Sequence, residues 1–145
     1  MNSRFAIALH VLTFLALAGD EPTTSEYISG SVSTNPVVIR RILGVLRRAG
    51  LVTAQAGIGG GSSLARPPSR ITLLDVYRAT AEADLFALHP HSPNPQCTCG
   101  GNIQPVLRGV FEAAESAVED VLSGITVAQM ADEVLARANR AGPND

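Results

Sequence analysis

The chain has 145 residues, 46% hydrophobic and 17% charged, which fits one domain with an assembly element and excludes a disordered chain. A formal net charge of −2 excludes a uniformly basic nucleic-acid binder and an acidic tail protein. The charge is unevenly laid out, however: all eleven basic residues are Arg, and residues 1–70 hold seven of them against Asp20, Glu21 and Glu26, a net +4, while residues 71–145 carry a net −6. A basic half beside an acidic half points to two tasks, one of them meeting an anion. With aromatics at 4% and no Trp, the core must be built from Leu, Ile, Val and Ala.

In chain order, Phe5 to Ala18 is nearly all apolar and follows Arg4. It reads either as a buried first helix, apolar all round, or as a weak signal peptide; it is too short to span a bilayer. After the break at Asp20-Glu21-Pro22, Thr23 to Glu26 has the form of a capping box, with Thr23 as N-cap and Glu26 reaching back, opening a helix to about Gly30. Residues 31–34 make a turn. Asn35-Pro36 then starts a helix, Asn capping and Pro filling the first helical position, which runs to Ala49 and stops at Gly50. Two helices around a short turn, preceded by a third, outline a helix-turn-helix. Leu51–Ala54 reads as a strand, Gly57–Gly61 as a turn and Ser62–Ala65 as the returning strand, so a β-hairpin wing follows. Thr72 and Asp75 cap a further helix to about Ala83. Residues 87–101 form a loop holding both Cys and two His. Asn102 opens a long helix with Pro105 in its first turn, and Thr126 with Gln129 opens a last one to about Arg137.

The helix at 35–49 carries the chemistry. At about 100° per residue, Arg40, Arg41, Arg47 and Arg48 share one arc with Gly44, opposite a continuous arc of Val38, Ile39, Ile42, Leu43, Val45, Leu46 and Ala49. No acid lies on this helix. The planar Arg fork matches phosphate oxygens or the O6/N7 edge of guanine. The bland alternative is a solvated cationic face, or Arg pairing with acids elsewhere. The turn and the wing favour a reading helix in a major groove. Arg40 and Arg41, near its start, are then base candidates, and Arg47 and Arg48 backbone or pairing candidates. Ser33, Thr34 and the N–H groups along Asn35–Val37 are candidates for holding a phosphate at the helix start, with Pro36 among the DNA-contacting candidates. A phosphate loop at Gly59–Gly61 is disfavoured, because no Gly-Lys-Ser/Thr and no βαβ unit accompany it. An acetyltransferase loop at 55–59 would need a large sheet that the chain lacks.

The long helix shows apolar residues at Ile103, Val106, Leu107, Val110, Phe111, Ala114, Val118 and Val121, with Leu122 beyond, in the i, i+3, i+4, i+7 pattern. In the loop before it, His89, His91, Cys97 and Cys99 are four candidate zinc donors, or the two Cys a thiol switch, or all are ordinary loop residues. Two chains could share ligands, with His10 contributing from the first helix. A Cys-x-Cys pair is too strained and too isolated to staple a secreted fold, so a reduced, cytoplasmic setting is expected.

The runs NPVVIRRIL at 35–43, LRRAGLV at 46–52, GGG at 59–61, LARPP at 64–68 and ITLLDV at 71–76 resemble the IscR/NsrR/CymR family of bacterial winged-helix repressors, the Rrf-two family. The residues at 2–5 and the HPHSPNPQC loop at 89–97 are most similar to its YwnA-like branch. The resemblance implies a homodimer on a palindromic operator, with the helix from Asn102 crossing its partner. It makes the first helix structural, against a cleaved signal peptide. It also adds Ser3, Arg4, Thr24, Ser25, Gly59 and Gly60 to Ser33, Asn35, Pro36, Val37, Arg40, Arg41 and Arg48 as DNA-contacting positions. Two departures stand out: Ala56 occupies a place where many relatives carry Arg before the wing glycines, and Cys97-Thr98-Cys99 falls short of the three Cys of cluster-binding members.

The expectation is therefore a mainly α winged helix-turn-helix with a two-stranded wing and a long C-terminal dimerisation helix. Its parts are a DNA-binding domain at 1–83, a candidate sensor loop at 84–101, and dimerisation and C-terminal helices at 102–145. Its partners are double-stranded DNA and a second copy of itself, without a membrane. An iron–sulfur cluster or zinc stays open as a cofactor. No nucleophile–base–acid set emerges, which argues against an enzyme. The competing classes are a metal or redox sensor and a protein-partner adaptor with weak or no DNA binding.

Overall fold

A computed structural model describes residues 3–142. Six α-helices flank one hairpin: α1 (Arg4–Ala18), α2 (Ser25–Val32), α3 (Pro36–Arg48), β1 (Val52–Gln55), β2 (Gly61–Leu64), a 3₁₀ turn at Pro68–Arg70, α4 (Leu73–Thr80), α5 (Ile103–Ser123) and α6 (Val127–Ala141). The strands pair antiparallel, Val52 opposite Leu64 and Gln55 opposite Gly61. The mainly helical winged architecture is the expected one.

The caps explain most of the helix starts. Asn35 Oδ1 accepts from Val37 N–H at 2.9 Å, with Pro36 at the first helical position. Thr72 with Asp75, and Thr126 with Gln129, form reciprocal capping boxes. For α2 the expectation needs correction. The N-cap is Thr24, whose Oγ1 accepts from Tyr27 N–H at 3.2 Å, and Glu26 does not reach back. The reason is tertiary: Thr23 exchanges two backbone hydrogen bonds with Ser62, which holds it extended beside β2 and moves the cap one residue on. Gly61 permits this approach, since a Cβ there would lie 2.6 Å from the Thr23 carbonyl. At Asn102 the side-chain amide donates to the Thr98 carbonyl at 2.7 Å. It closes the loop turn instead of capping α5.

The described residues form two compact units, one within Met1–Ala81 and Leu122–Asp145, the other within Glu82–Val121. In the first, α1 supplies the centre of the core with Ala8, Val11, Leu12 and Leu15, all essentially inaccessible. Around it lie Ile28 of α2, Ile39, Ile42 and Leu46 of α3, Leu51, Ile71, Val76 of α4 and Val127 of α6. Each such Leu or Ile contributes roughly 1.5–3 kcal/mol by burial. The apolar run at 5–18 is thus a core helix. Its polar members are satisfied locally: buried Thr13 donates to the Leu9 carbonyl at 2.7 Å, and exposed His10 pairs through Nε2 with Ser31 Oγ at 2.9 Å. α6 packs against α1. Its first turn is tied to that of α4, because Leu73 N–H donates to Ile125 and Val127 N–H to Ile71, both at 2.9 Å. The sequence grouped α6 with the long helix; its packing lies with the N-terminal unit.

The second unit holds the loop and most of α5. Phe86 stacks on Phe111 with centroids 5.2 Å apart. No residue of α5 is buried.

Candidate nucleic-acid interface

α3 buries Ile39, Ile42, Leu43 and Leu46 and leaves Arg40, Arg41, Arg47 and Arg48 exposed, as its wheel requires. Ala49, placed on the apolar arc, is exposed at the helix end. Gly44 sits among the cations. The Arg48 guanidinium lies along the helix surface beside it, and a Cβ there would meet Arg48 Nη1 at 3.5 Å, an ordinary van der Waals contact.

Arg40 differs from its neighbours. Its Nη2 donates to Oε1 of Glu26 on α2, and both side chains stay more than half exposed. The Glu26 carboxyl is held below the usual carboxylate range, first by its own backbone N–H and then by Arg40. The alternative of an Arg pairing with an acid elsewhere therefore applies to Arg40. Among the described residues no ion pair is formed by Arg41, Arg47 or Arg48.

The helix start offers less than expected to a phosphate. Pro36 has no N–H, and the Val37 N–H is taken by Asn35. What remains at that end is the side chains around the turn, where Ser33 is exposed in a left-handed conformation (φ 60°) and Thr34 is half-buried. Val37 is exposed on the outer face of the first turn. At the start of α2, Thr24 is exposed and occupied as the cap, and Ser25 is half-buried. Ser3 is exposed just before α1, which Arg4 opens as a half-buried residue.

The wing turns at Gly57–Gly60. Gly59 adopts φ 77° on the surface, and at Gly60 a Cβ would strike the Gln55 carbonyl at 2.2 Å. Both glycines are thus required by the turn itself. Ile58 at the tip is fully exposed. Sequence reasoning took Glu26 as a capping residue and missed its ion pair, and it left the exposed Ile58 unremarked. An exposed Ile between turn glycines is a readable signal; an ion pair across two helices is not.

The loop residues do not converge. Among the described residues no group of three or more His, Cys, Asp or Glu is placed to hold a metal ion. His91 N–H donates to His89 Nδ1 at 3.2 Å, which occupies that nitrogen. Within one chain, His89, His91, Cys97 and Cys99 therefore do not form the four-residue zinc or cluster site considered from sequence. Cys97 and Cys99 are exposed free thiols. The Cys97 thiol is pulled below the ordinary thiol range by the Gly100 N–H, then the Cys99 N–H. Gly100 and Gly101 are packed against the Asn94 and Pro95 carbonyls, so this turn is tightly built. No described helix is long and apolar enough to cross a membrane.

Residues 1–133 match the Rrf2 family, described as an iron-dependent transcriptional regulator. Over 124 residues the chain is 44% identical to YwnA of Bacillus subtilis (strain 168), provisionally named an HTH-type transcriptional regulator, covering 85% of this chain and 90% of that one. The structure of IscR from T. potens superposes with TM-score 0.71 at 25% identity, over 100% of this chain and 92% of the other. That of CymR, the global cysteine regulator of B. subtilis, gives TM-score 0.71 at 22% identity over 92% and 96%, a likeness of fold. The chain belongs to the Rrf2 family of DNA-binding transcriptional regulators, and its work is control of transcription and not catalysis.

Proposed function

We propose that the chain acts as a homodimeric repressor on a palindromic operator, with α3 in the major groove and the wing against the flanking backbone. The observation that carries this is the exposed cationic face of α3 set on a fully packed helical pair. Arg41 and Arg40 are the base-reading side chains; Arg48, lying along the helix, contacts the backbone, with the side chains of Ser33 and Asn35 at the helix start, where the exposed Val37 offers an apolar contact to a base edge. Ser3, Arg4, Thr24, Ser25, Gly59 and Gly60 are the further DNA-contacting positions of this reading. The dimer is supported by α5, where Val106, Val110 and Val121 are 61%, 57% and 63% exposed in an otherwise regular apolar row. Ile103, Leu107, Phe111, Ala114 and Val118, half-buried, complete that row. Residues 1–83 then read DNA, 84–101 form the loop and 102–145 assemble the dimer, with α6 packed back on α1. A dimer bound across a promoter excludes polymerase, and it works in the cytoplasm, where the DNA is.

Selection of bound sequences from a random DNA pool, followed by shift assays over a salt series, tests this. The expected result is a palindromic consensus and an affinity that falls linearly with salt on logarithmic axes. A stable dimer with no salt-dependent DNA binding would favour the adaptor class instead.

A thiol response of the loop is a second reading, favoured by the two N–H groups on Cys97. Oxidant added to the shift assay should then release the wild type and spare Cys97→Ser. Native mass spectrometry of anaerobically purified dimer tests whether the subunits jointly hold a metal or cluster.

A further inference from the structure

Glu26 is the only acid of α2, and the fold has little need of it. Thr24 caps the helix, so Glu26 is not a capping residue. An ion pair this exposed contributes little to stability. Its carboxylate is nonetheless set on Arg40, at the start of the cationic face, where any acid weakens attraction to DNA.

Three consequences follow from the pairing. The couple carries no net charge, so Arg40 adds little to phosphate neutralisation, unlike Arg41 and Arg48. The guanidinium has five N–H donors and gives one to Glu26, which leaves enough for two parallel bonds to guanine O6 and N7. The carboxylate accepts and cannot donate; beside it a phosphate is repelled, whereas the N4 amino group of cytosine, a major-groove donor, is matched. The couple therefore favours a base edge over the backbone.

We propose that Glu26 is a positioning and specificity residue, holding Arg40 for a guanine in a G·C pair and keeping it off the phosphates. This rests on the reading that α3 enters the major groove. The side chains supply what the role needs: a contact between them and exposure of both to a ligand.

The test compares the full-length wild type, E26Q, R40A and the double variant on the selected operator and on operators altered at each position. E26Q keeps the shape and removes the charge. It should bind unrelated DNA more tightly, with a salt slope steeper by about one phosphate contact. It should also lose about tenfold of the discrimination for G·C at one position per half-site. R40A should lose discrimination at that same position, and adding E26Q to R40A should change it no further. Unchanged discrimination in E26Q, or a loss at a position that R40A does not affect, overturns the proposal. If the wild type itself shows no sequence preference, the operator reading fails with it; if the wild type is selective and E26Q equally so, only the role of Glu26 fails.

Discussion

In α3 the apolar arc is covered by α1, α2 and α4 of the same chain, and what remains outside is charged but for Val37 in the first turn. In α5, a longer helix with a comparable apolar row, nothing is buried and three Val stand more than half exposed. Both helices obey the same 3.6-residue periodicity, so the pattern alone does not say where the cover comes from. A face covered from within belongs to the domain core. An exposed contiguous row of Val, Phe and Leu marks a surface that association would cover. The comparison separates the surface proposed for DNA from the surface proposed for self-association.

The sharpest way to break that distinction is Val110→Asp. A buried, unpaired charge would be intolerable in a dimer seam and harmless in an exposed monomer face. Sedimentation should show a monomer, and affinity for the full palindrome should fall about 100-fold or more, while that for an isolated half-site is unchanged. A dimer surviving this change would remove α5 from the interface. Within the same background, Leu46→Ala on α3 should cost about 2–5 kcal/mol in urea unfolding, and Val106→Ala on α5 within about 0.5 kcal/mol. Equal costs would mean that the two helices are covered alike.

On the charged side, Arg41→Ala should weaken operator binding by about 1–3 kcal/mol and relax selectivity at particular bases. Arg48→Ala should instead weaken all sequences together and flatten the salt slope by about one. The smallest effect is chemical. Because the Gly100 and Cys99 N–H groups favour its thiolate, Cys97 carries more of the reactive form at neutral pH, and peptide mapping after brief alkylation should find it modified before Cys99. Earlier modification of Cys99 would contradict the turn geometry.

Much of the fold was legible because its signals are local. Asn35-Pro36, Thr72 with Asp75, and Thr126 with Gln129 are caps written within four residues, and all three form. The glycine run could only be a turn, and the two strands beside it followed, each shifted by one residue from the expected bounds. The misses are non-local. The α2 cap moved to Thr24 because Thr23 is claimed by Ser62, thirty-nine positions away. The docking of α6 on α1 depends on Val127 and Ala131 finding a helix more than a hundred residues earlier. In the candidate site, the arc of Arg side chains was readable from one helix, whereas the Glu26 contact needed two. The four loop donors share a segment of sequence, but composition cannot say whether donors converge, and in one chain they do not.

The bridge between Thr23 and Ser62 reaches further than its two hydrogen bonds. It fastens the returning strand of the wing to the backbone immediately ahead of α2, and α2 leads through Ser33 into α3. The hairpin is therefore fastened at both ends of the reading module, through β1 to the end of α3 and through β2 to the beginning of α2. In the docking proposed above, a protein held this way measures the distance from major groove to flanking backbone with a fixed ruler. Gly61, by leaving out one methyl group and accepting φ 148°, is the graduation on which that ruler is set.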